Sequence, residues 1–214
     1  MTDSRTGTGL FISLEGIDGS GKSTQSRLLL ANLERAGHKA VLTREPGGSK
    51  GAEDIRALLL SGDTDKWSAE TEILLFSAAR RDHLEKLIWP ALDNGQTVIT
   101  DRFADSTRVY QGATRGDLRG LVDNVHQTMI GVEPDLTLVF DMDPTVALER
   151  GLARNSGEDR FEDFGLPFQQ TLRAGFKDLV ADFPDRCVMI DASQSVNAIA
   201  KDVWAAVENR LDHA

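Results

Sequence analysis

The chain has 214 residues, enough for one domain with a sizeable core, and its 40% hydrophobic and 27% charged residues are the balance of an ordinary globular protein. A formal net charge of −10 argues against a broad basic surface for long nucleic acid, but not against a small anion held by a few cations inside a cleft. No run approaches the roughly 18 apolar residues of a membrane helix. Residues 1–9 lack the apolar stretch of a secretory signal and read as a flexible tail. The single cysteine, Cys187, can form no intrachain disulfide and fits a core role in a reducing, cytoplasmic setting.

In chain order, LFISLE (10–15) is a short apolar run of the kind a buried parallel strand shows. Residues 22–37 predict a helix, with Leu29, Leu33 and Ala36 at helical spacing and Gly37 as its stop. KAVLTRE (39–45) reads as a strand ending before Pro46, and 51–60 as a helix. Residues 68–92 read as one long helix, with Ser68 as its cap, Glu70 and Glu72 near its positive end, and Pro90 kinking or ending it. A strand over 96–101, a helix over 118–131 and a strand over 135–143 follow. DPTVALERGLAR then starts a helix with proline in its first turn, and another helix covers 164–182. The last strand lies at 185–192 and the last helix at 195–211. Five buried strands alternating with helices predict an α/β fold: a five-stranded parallel sheet with helices on both faces, and ligands bound beyond the strands' carboxyl ends. No linker divides residues 10–214, which are expected to form a single domain.

Between the first strand and the first helix, Gly16, Ile17, Asp18, Gly19, Ser20, Gly21, Lys22 and Ser23 match G-x-x-x-x-G-K-[ST] completely, with Thr24 next. Glycines let backbone N–H groups approach phosphate oxygens, and the helix N-terminus adds positive charge. Lys22 is expected to reach the outer phosphates of a nucleoside triphosphate, and Ser23 to hold magnesium. GTPase switches, motor ATPases and small-molecule kinases all use such a loop. The N-K-x-D segment with which a Ras-type GTPase reads guanine does not occur in this chain.

Further residues suggest a second anion site. Asp101 and Arg102 follow the third strand, where the carboxylate could hold magnesium through water and the arginine an anion; a capping aspartate and a surface arginine are the plain alternative. Arg44 ends the second strand, before a turn forced by Pro46, Gly47 and Gly48, and could equally be a surface ion pair. Phe76 and Arg80 share a helix face, pairing a ring that can stack on a base with a planar donor; a core ring and a solvated arginine are the alternative. Arg150 and Arg154 are spaced i, i+4, and Arg160 follows across a polar loop, so the three could close over transferring phosphates or form a solvated face. His38, His83, His126 and His213 are given surface or packing roles.

Taken in order, EGIDGSGKST (15–24), TREPGG (43–48), LLFSAAR (74–80), DRFADSTRVYQG (101–112) and PDLTLVFD (134–141) resemble the thymidylate (dTMP) kinase family of bacterial type, over about Leu10 to Leu211. The resemblance implies the P-loop nucleoside monophosphate kinase fold and transfer from ATP to dTMP with Mg2+, giving dTDP for dTTP synthesis. It implies that Phe76 stacks on thymine and Arg80 bonds its 4-carbonyl oxygen. Ser106, Thr107 and Gln111 would line the base and sugar pocket, Tyr110 would crowd the 2′ position, and Asp18 would contact the 3′-hydroxyl. Arg102 would bind the acceptor phosphate, with Arg44 joining it. One class of the family carries an arginine inside the phosphate loop; Gly19 stands there in this chain, which leaves that charge to Arg150, Arg154 and Arg160 in a lid over about 150–162. A homodimer is implied, with helix 68–92 as a candidate interface, and no nucleic-acid or membrane partner. A kinase for another monophosphate or a nucleoside, and a non-catalytic nucleotide-binding protein, are the competing readings.

Overall fold

A computed structural model describes residues 9–63, 65–113, 116–152 and 164–211. The expected tail falls almost wholly outside these residues, as does most of the expected lid, including Arg154 and Arg160.

Five strands, β1 (Phe11–Gly16), β2 (Ala40–Arg44), β3 (Thr97–Asp101), β4 (Leu136–Asp141) and β5 (Cys187–Asp191), form one parallel sheet in the order β2-β3-β1-β4-β5. The central strand β1 is buried along its whole length, its polar residues Ser13 and Glu15 included. Its side chains alternate between faces. Phe11 enters a cluster with Leu84, Ile88, Leu92, Val98 and Phe103, while Ile12 and Leu14 enter the main core with Leu138, Phe176 and Val203. Burying each large aliphatic or aromatic side chain contributes about 1.5–3 kcal/mol, so a polar substitution at Phe11 strikes one face of the core and one at Ile12 or Leu14 the other. Cys187 is buried and free.

The helices are α1 (Lys22–Arg35), α2 (Lys50–Leu60), α3 (Ala69–His83), α4 (Trp89–Asp93), α5 (Ala104–Thr107), α6 (Arg119–Met129), α7 (Pro144–Leu152), α8 (Gly165–Asp182) and α9 (Val196–Leu211). Ser68 caps α3 as expected, accepting from the Thr71 N–H at 3.2 Å. The expectation of a single helix over 68–92 is corrected. A π-helical turn, Leu84–Ile88, separates α3 from α4. Pro90 has no N–H to give to a carbonyl four residues back, and just before it the Trp89 N–H bonds the Leu84 carbonyl, five residues back. A second π turn, Arg108–Ala113, continues α5. No helix among the described residues is long and apolar enough to cross a membrane.

Register places the site. Leu14 pairs with Asp101, and Arg44 also pairs with Asp101. The carboxyl ends of β1, β2 and β3 therefore present the phosphate loop, Arg44 and the Asp101–Arg102 turn along one edge.

Candidate active site

These three segments border a cleft of about 570 Å³, a size suited to small ligands. The loop from β1 to α1 turns on Gly16, Gly19 and Gly21, at φ 132°, 80° and 97°. At Gly19 a side chain would also collide with the Ala147 carbonyl of α7, so the absence of an arginine there has a packing reason. Lys22 is buried, its Nζ 3.0 Å from the Gly16 carbonyl and 2.8 Å from that of Ile17. Burial and the repulsion of Arg102 push its ammonium down to about 8, against the attraction of Asp18, Asp101 and Glu15.

The Ser23 hydroxyl donates to Asp101 Oδ2 at 2.5 Å. A hydroxyl and a carboxylate meeting beside the phosphate loop are hard oxygen donors suited to Mg2+, which takes few protein ligands and completes its shell with phosphate oxygens and water. Among the described residues there is no group of three or more His, Cys, Asp or Glu side chains able to cage a metal by itself.

Arg102 joins the loop to the segment after β3. It is a non-glycine residue at positive φ, 73°, a conformation that costs about 1–3 kcal/mol and persists where the surroundings enforce it. Its N–H donates to the Leu14 carbonyl at 2.9 Å, and its own carbonyl accepts from Thr100 Oγ1 at 2.8 Å. The guanidinium donates to the Gly16 carbonyl (3.0 Å), Ser106 Oγ (2.9 Å), Asp18 Oδ1 (2.6 Å) and Tyr110 OH (3.1 Å). Tyr110 donates in turn to Asp18 Oδ2 at 2.8 Å. Burial by itself would raise the Asp18 carboxyl, but Arg102, Lys22 and the Tyr110 hydrogen bond outweigh it and hold the group well below the usual carboxylate range. Burial pushes the Tyr110 hydroxyl up.

Beneath this cluster lies Glu15, fully buried. It accepts from the Phe103 N–H at 2.7 Å and the Ser106 hydroxyl at 2.6 Å. Desolvation and the nearby Asp105 push its carboxyl up to about 7, against Arg102 and the two hydrogen bonds.

Phe76 is half-buried and, with Arg80, Thr107 and Gln111, lines the far part of the cleft. Arg80 is not solvated: it is 3% exposed and donates to Glu45 Oε2 (2.7 Å), the Phe103 carbonyl (3.1 Å) and Thr107 Oγ1 (3.1 Å). Gln111 Nε2 donates to the buried Glu72 at 3.0 Å. Arg44 stands at the rim, exposed and paired with Glu53 at 3.2 Å. Arg150 borders the cleft with Nη1 3.5 Å from Met142 Sδ. Glu15, Glu45 and Glu72 were not anticipated from sequence, and neither was the wall formed by Gln25, Gln194, Val196 and Ile199. An acid inside an apolar strand was the available sign for Glu15; the wall residues carry no motif.

The family model described as thymidylate kinase matches residues 14–203. The chain is 67% identical over 205 residues to the thymidylate kinase of Jannaschia sp. (strain CCS1), covering 96% of this chain and 99% of that one. It is 68% identical over 200 residues to the thymidylate kinase of Dinoroseobacter shibae, covering 94% and 97%. Among solved structures, a crystal structure of thymidylate kinase from Ehrlichia chaffeensis superposes with a TM-score of 0.76 at 34% identity, covering 93% of this chain and 98% of that one.

Proposed function

The chain belongs to the thymidylate kinase family and is an enzyme that phosphorylates dTMP in dTTP synthesis, and we propose that the transfer takes place in this cleft, from ATP to dTMP, giving ADP and dTDP. The observation that carries the reading is Arg102, each of whose terminal nitrogens bonds one phosphate-loop residue and one residue beyond β3: Nη1 the Gly16 carbonyl and Ser106, Nη2 Asp18 and Tyr110. Donor and acceptor halves thus meet at one cation.

The loop N–H groups of Gly16 to Thr24 and the Lys22 ammonium hold the donor's phosphates. A dTMP phosphate oxygen is already a nucleophile. Its bond to the γ-phosphorus forms as the bond from that phosphorus to the β,γ-bridging oxygen breaks, and no general base is needed. The work of the protein is alignment, charge neutralisation and exclusion of water. Arg102 and, at the rim, Arg44 bind the acceptor phosphate. Arg150 adds charge at the donor side, and Arg154 and Arg160 in the lid complete it. Phe76 stacks on thymine, Arg80 donates to its 4-carbonyl oxygen, and Thr107 and Gln111 border the base. Ser106 and Tyr110 flank the sugar, Tyr110 against the 2′ position, and Asp18, kept ionised by Arg102 and Lys22, accepts from the 3′-hydroxyl. Ser23 and Asp101 are the residues that would hold Mg2+, which supplies charge neutralisation across the transferring phosphates. The enzyme is expected to work in the cytoplasm, as a homodimer.

The test is ADP formation from ATP and Mg2+ with dTMP, dUMP, dCMP, dGMP, AMP and thymidine offered separately. A strong preference for dTMP is expected. Preference for another acceptor would overturn the base-pocket assignments while leaving the phosphate machinery, and ATP binding without turnover on any acceptor would overturn the enzymatic reading.

A further inference from the structure

Arg80 is asked to offer a donor to one edge of a base, and three bonds fix it: Nε to Glu45, and Nη2 to both the Phe103 carbonyl and Thr107 Oγ1. These bonds use Nε and Nη2, which leaves Nη1 as the nitrogen that can turn to a ligand in the cleft. Behind Arg80 the chain of bonds continues. Glu45 Oε1 lies 3.0 Å from His83 Nδ1, and His83 Nε2 lies 2.8 Å from Thr43 Oγ1. A carboxylate oxygen only accepts, so Nδ1 carries the proton; in the neutral ring Nε2 then accepts from the Thr43 hydroxyl. Glu45 is 5% exposed and His83 fully buried, so each bond is made out of water, where orientation is held tightly and a missing partner is costly.

The order of the residues explains why this chain can form. His83 follows Arg80 by three positions on α3 and shares its face. Thr43 and Glu45 straddle Arg44 at the end of β2, so their side chains point to the same side while Arg44 points to the rim. Gly48, at φ 86°, brings the turn back over the pair; a Cβ there would collide with the His83 ring and Thr43 Oγ1. The turn that carries Arg44 toward the acceptor phosphate is therefore tied to the arginine that faces the base.

We propose that Thr43, Glu45 and His83 are positioning residues for base selection, holding the Arg80 guanidinium so that a donor-only edge faces position 4 of the pyrimidine. The proposal rests on the reading of Arg80 as the 4-carbonyl contact. A fixed donor favours the 4-carbonyl of thymine and rejects the 4-amino group of 5-methylcytosine, which also donates. A guanidinium released from Glu45 can swing away and lose that selectivity.

The experiment is the ratio of kcat/KM for dTMP to that for 5-methyl-dCMP, in the wild type and in Glu45→Gln, His83→Phe, His83→Gln, Thr43→Val and Arg80→Gln. Glu45→Gln and His83→Phe are expected to lower the ratio about tenfold, the factor a lost hydrogen bond to a charged group is worth, mainly by raising the KM for dTMP while that for ATP stays within about twofold. His83→Gln, which can still donate to Glu45, should recover part of the ratio. A merely structural role would slow both acceptors by the same factor. That outcome, with Arg80→Gln still lowering the ratio, overturns the proposal. If Arg80→Gln leaves the ratio unchanged, the base-contact reading itself falls. Should Glu45→Gln or His83→Phe not fold, Thr43→Val, which keeps the side chain's shape and removes only the hydroxyl bonded to His83 Nε2, is expected to lower the ratio in the same direction, and an unchanged ratio there overturns the proposal.

Discussion

At the scale of single residues, the cleft is organised by buried charges that hold one another in a defined protonation state. Lys22→Ala removes the cation at the phosphate loop, while the Gly16 carbonyl keeps the Arg102 guanidinium and the Ile17 carbonyl keeps the Ser20 N–H. Turnover is expected to fall by about a thousandfold, the scale of an electrostatic contact to a transferring phosphoryl group. Far-ultraviolet circular dichroism should be unchanged; near-normal rates would remove the phosphate-loop assignment. Glu15 gives a pH-dependent prediction. Its carboxyl is pushed from the ordinary 4.5 to about 7. Between those values the folded chain holds a proton that the unfolded chain has released. The stability this contributes is therefore full below about pH 4.5 and lost as pH rises through 7, by on the order of 3 kcal/mol. Glu15→Gln keeps an oxygen for the Phe103 N–H and removes the titration. Denaturant melts from pH 5 to 8 should show the wild type losing stability relative to the variant as pH rises. A constant difference across that range would contradict the assignment.

At the scale of elements, the phosphate loop is also a docking surface for α7, the helix that carries Arg150. Gly19 and Gly21 both have positive φ, yet only Gly19 faces the Ala147 carbonyl, while a side chain at Gly21 meets open space. Gly21→Ala should cost about 1–2 kcal/mol, from backbone conformation alone. Gly19→Ala adds displacement of α7 and should lower the melting temperature at least twice as much. Equal shifts would mean that α7 does not bear on the loop. The same contrast describes what the sequence made legible. The five strands, the cap at Ser68 and the phosphate loop were readable because their signals are local: apolar runs, a hydroxyl before a helix, spaced glycines. The segment after Arg102 was not. A four-residue helix followed by a π turn has no usable periodicity. It is fixed by distant partners: Glu15 on one side, and on the other Arg186, whose Nη2 donates to Asp105 Oδ1 at 2.9 Å. Glu45 and Glu72 escaped for the same reason, since their partners Arg80 and Gln111 lie 35 and 39 residues away.

At the scale of the whole molecule, the homodimer proposed above is expected to form through the face of α3 and α6. Gln111, in the π turn whose Gly112 carbonyl accepts from the Leu118 N–H at the start of α6, bonds Glu72 near the start of α3, and Arg81, near the end of α3, donates to the carbonyl of Met129, the last residue of α6, at 3.2 Å. The helices therefore run side by side in the same direction. Leu74 on α3 and Leu121 and Met129 on α6 are large apolar side chains left 62%, 40% and 52% exposed. On a chain of net charge −10, these exposed apolar side chains are the expected contact of the proposed homodimer, the same face of a second copy covering them about a twofold axis. The site residues Phe76 and Arg80 line the cleft on the other side of α3 from Leu74, so the proposed dimer would leave access to the cleft open. Light scattering coupled to size exclusion should give twice the mass of the chain at micromolar concentration. Leu74→Lys with Met129→Lys should give a folded monomer, because each copy then brings two like charges to an interface that expels water. A dimer that survives both substitutions would move the interface elsewhere, and a wild-type monomer would remove it. If the monomeric variant shows a raised KM for dTMP and an unchanged KM for ATP, the interface acts through α3 on the acceptor half of the cleft.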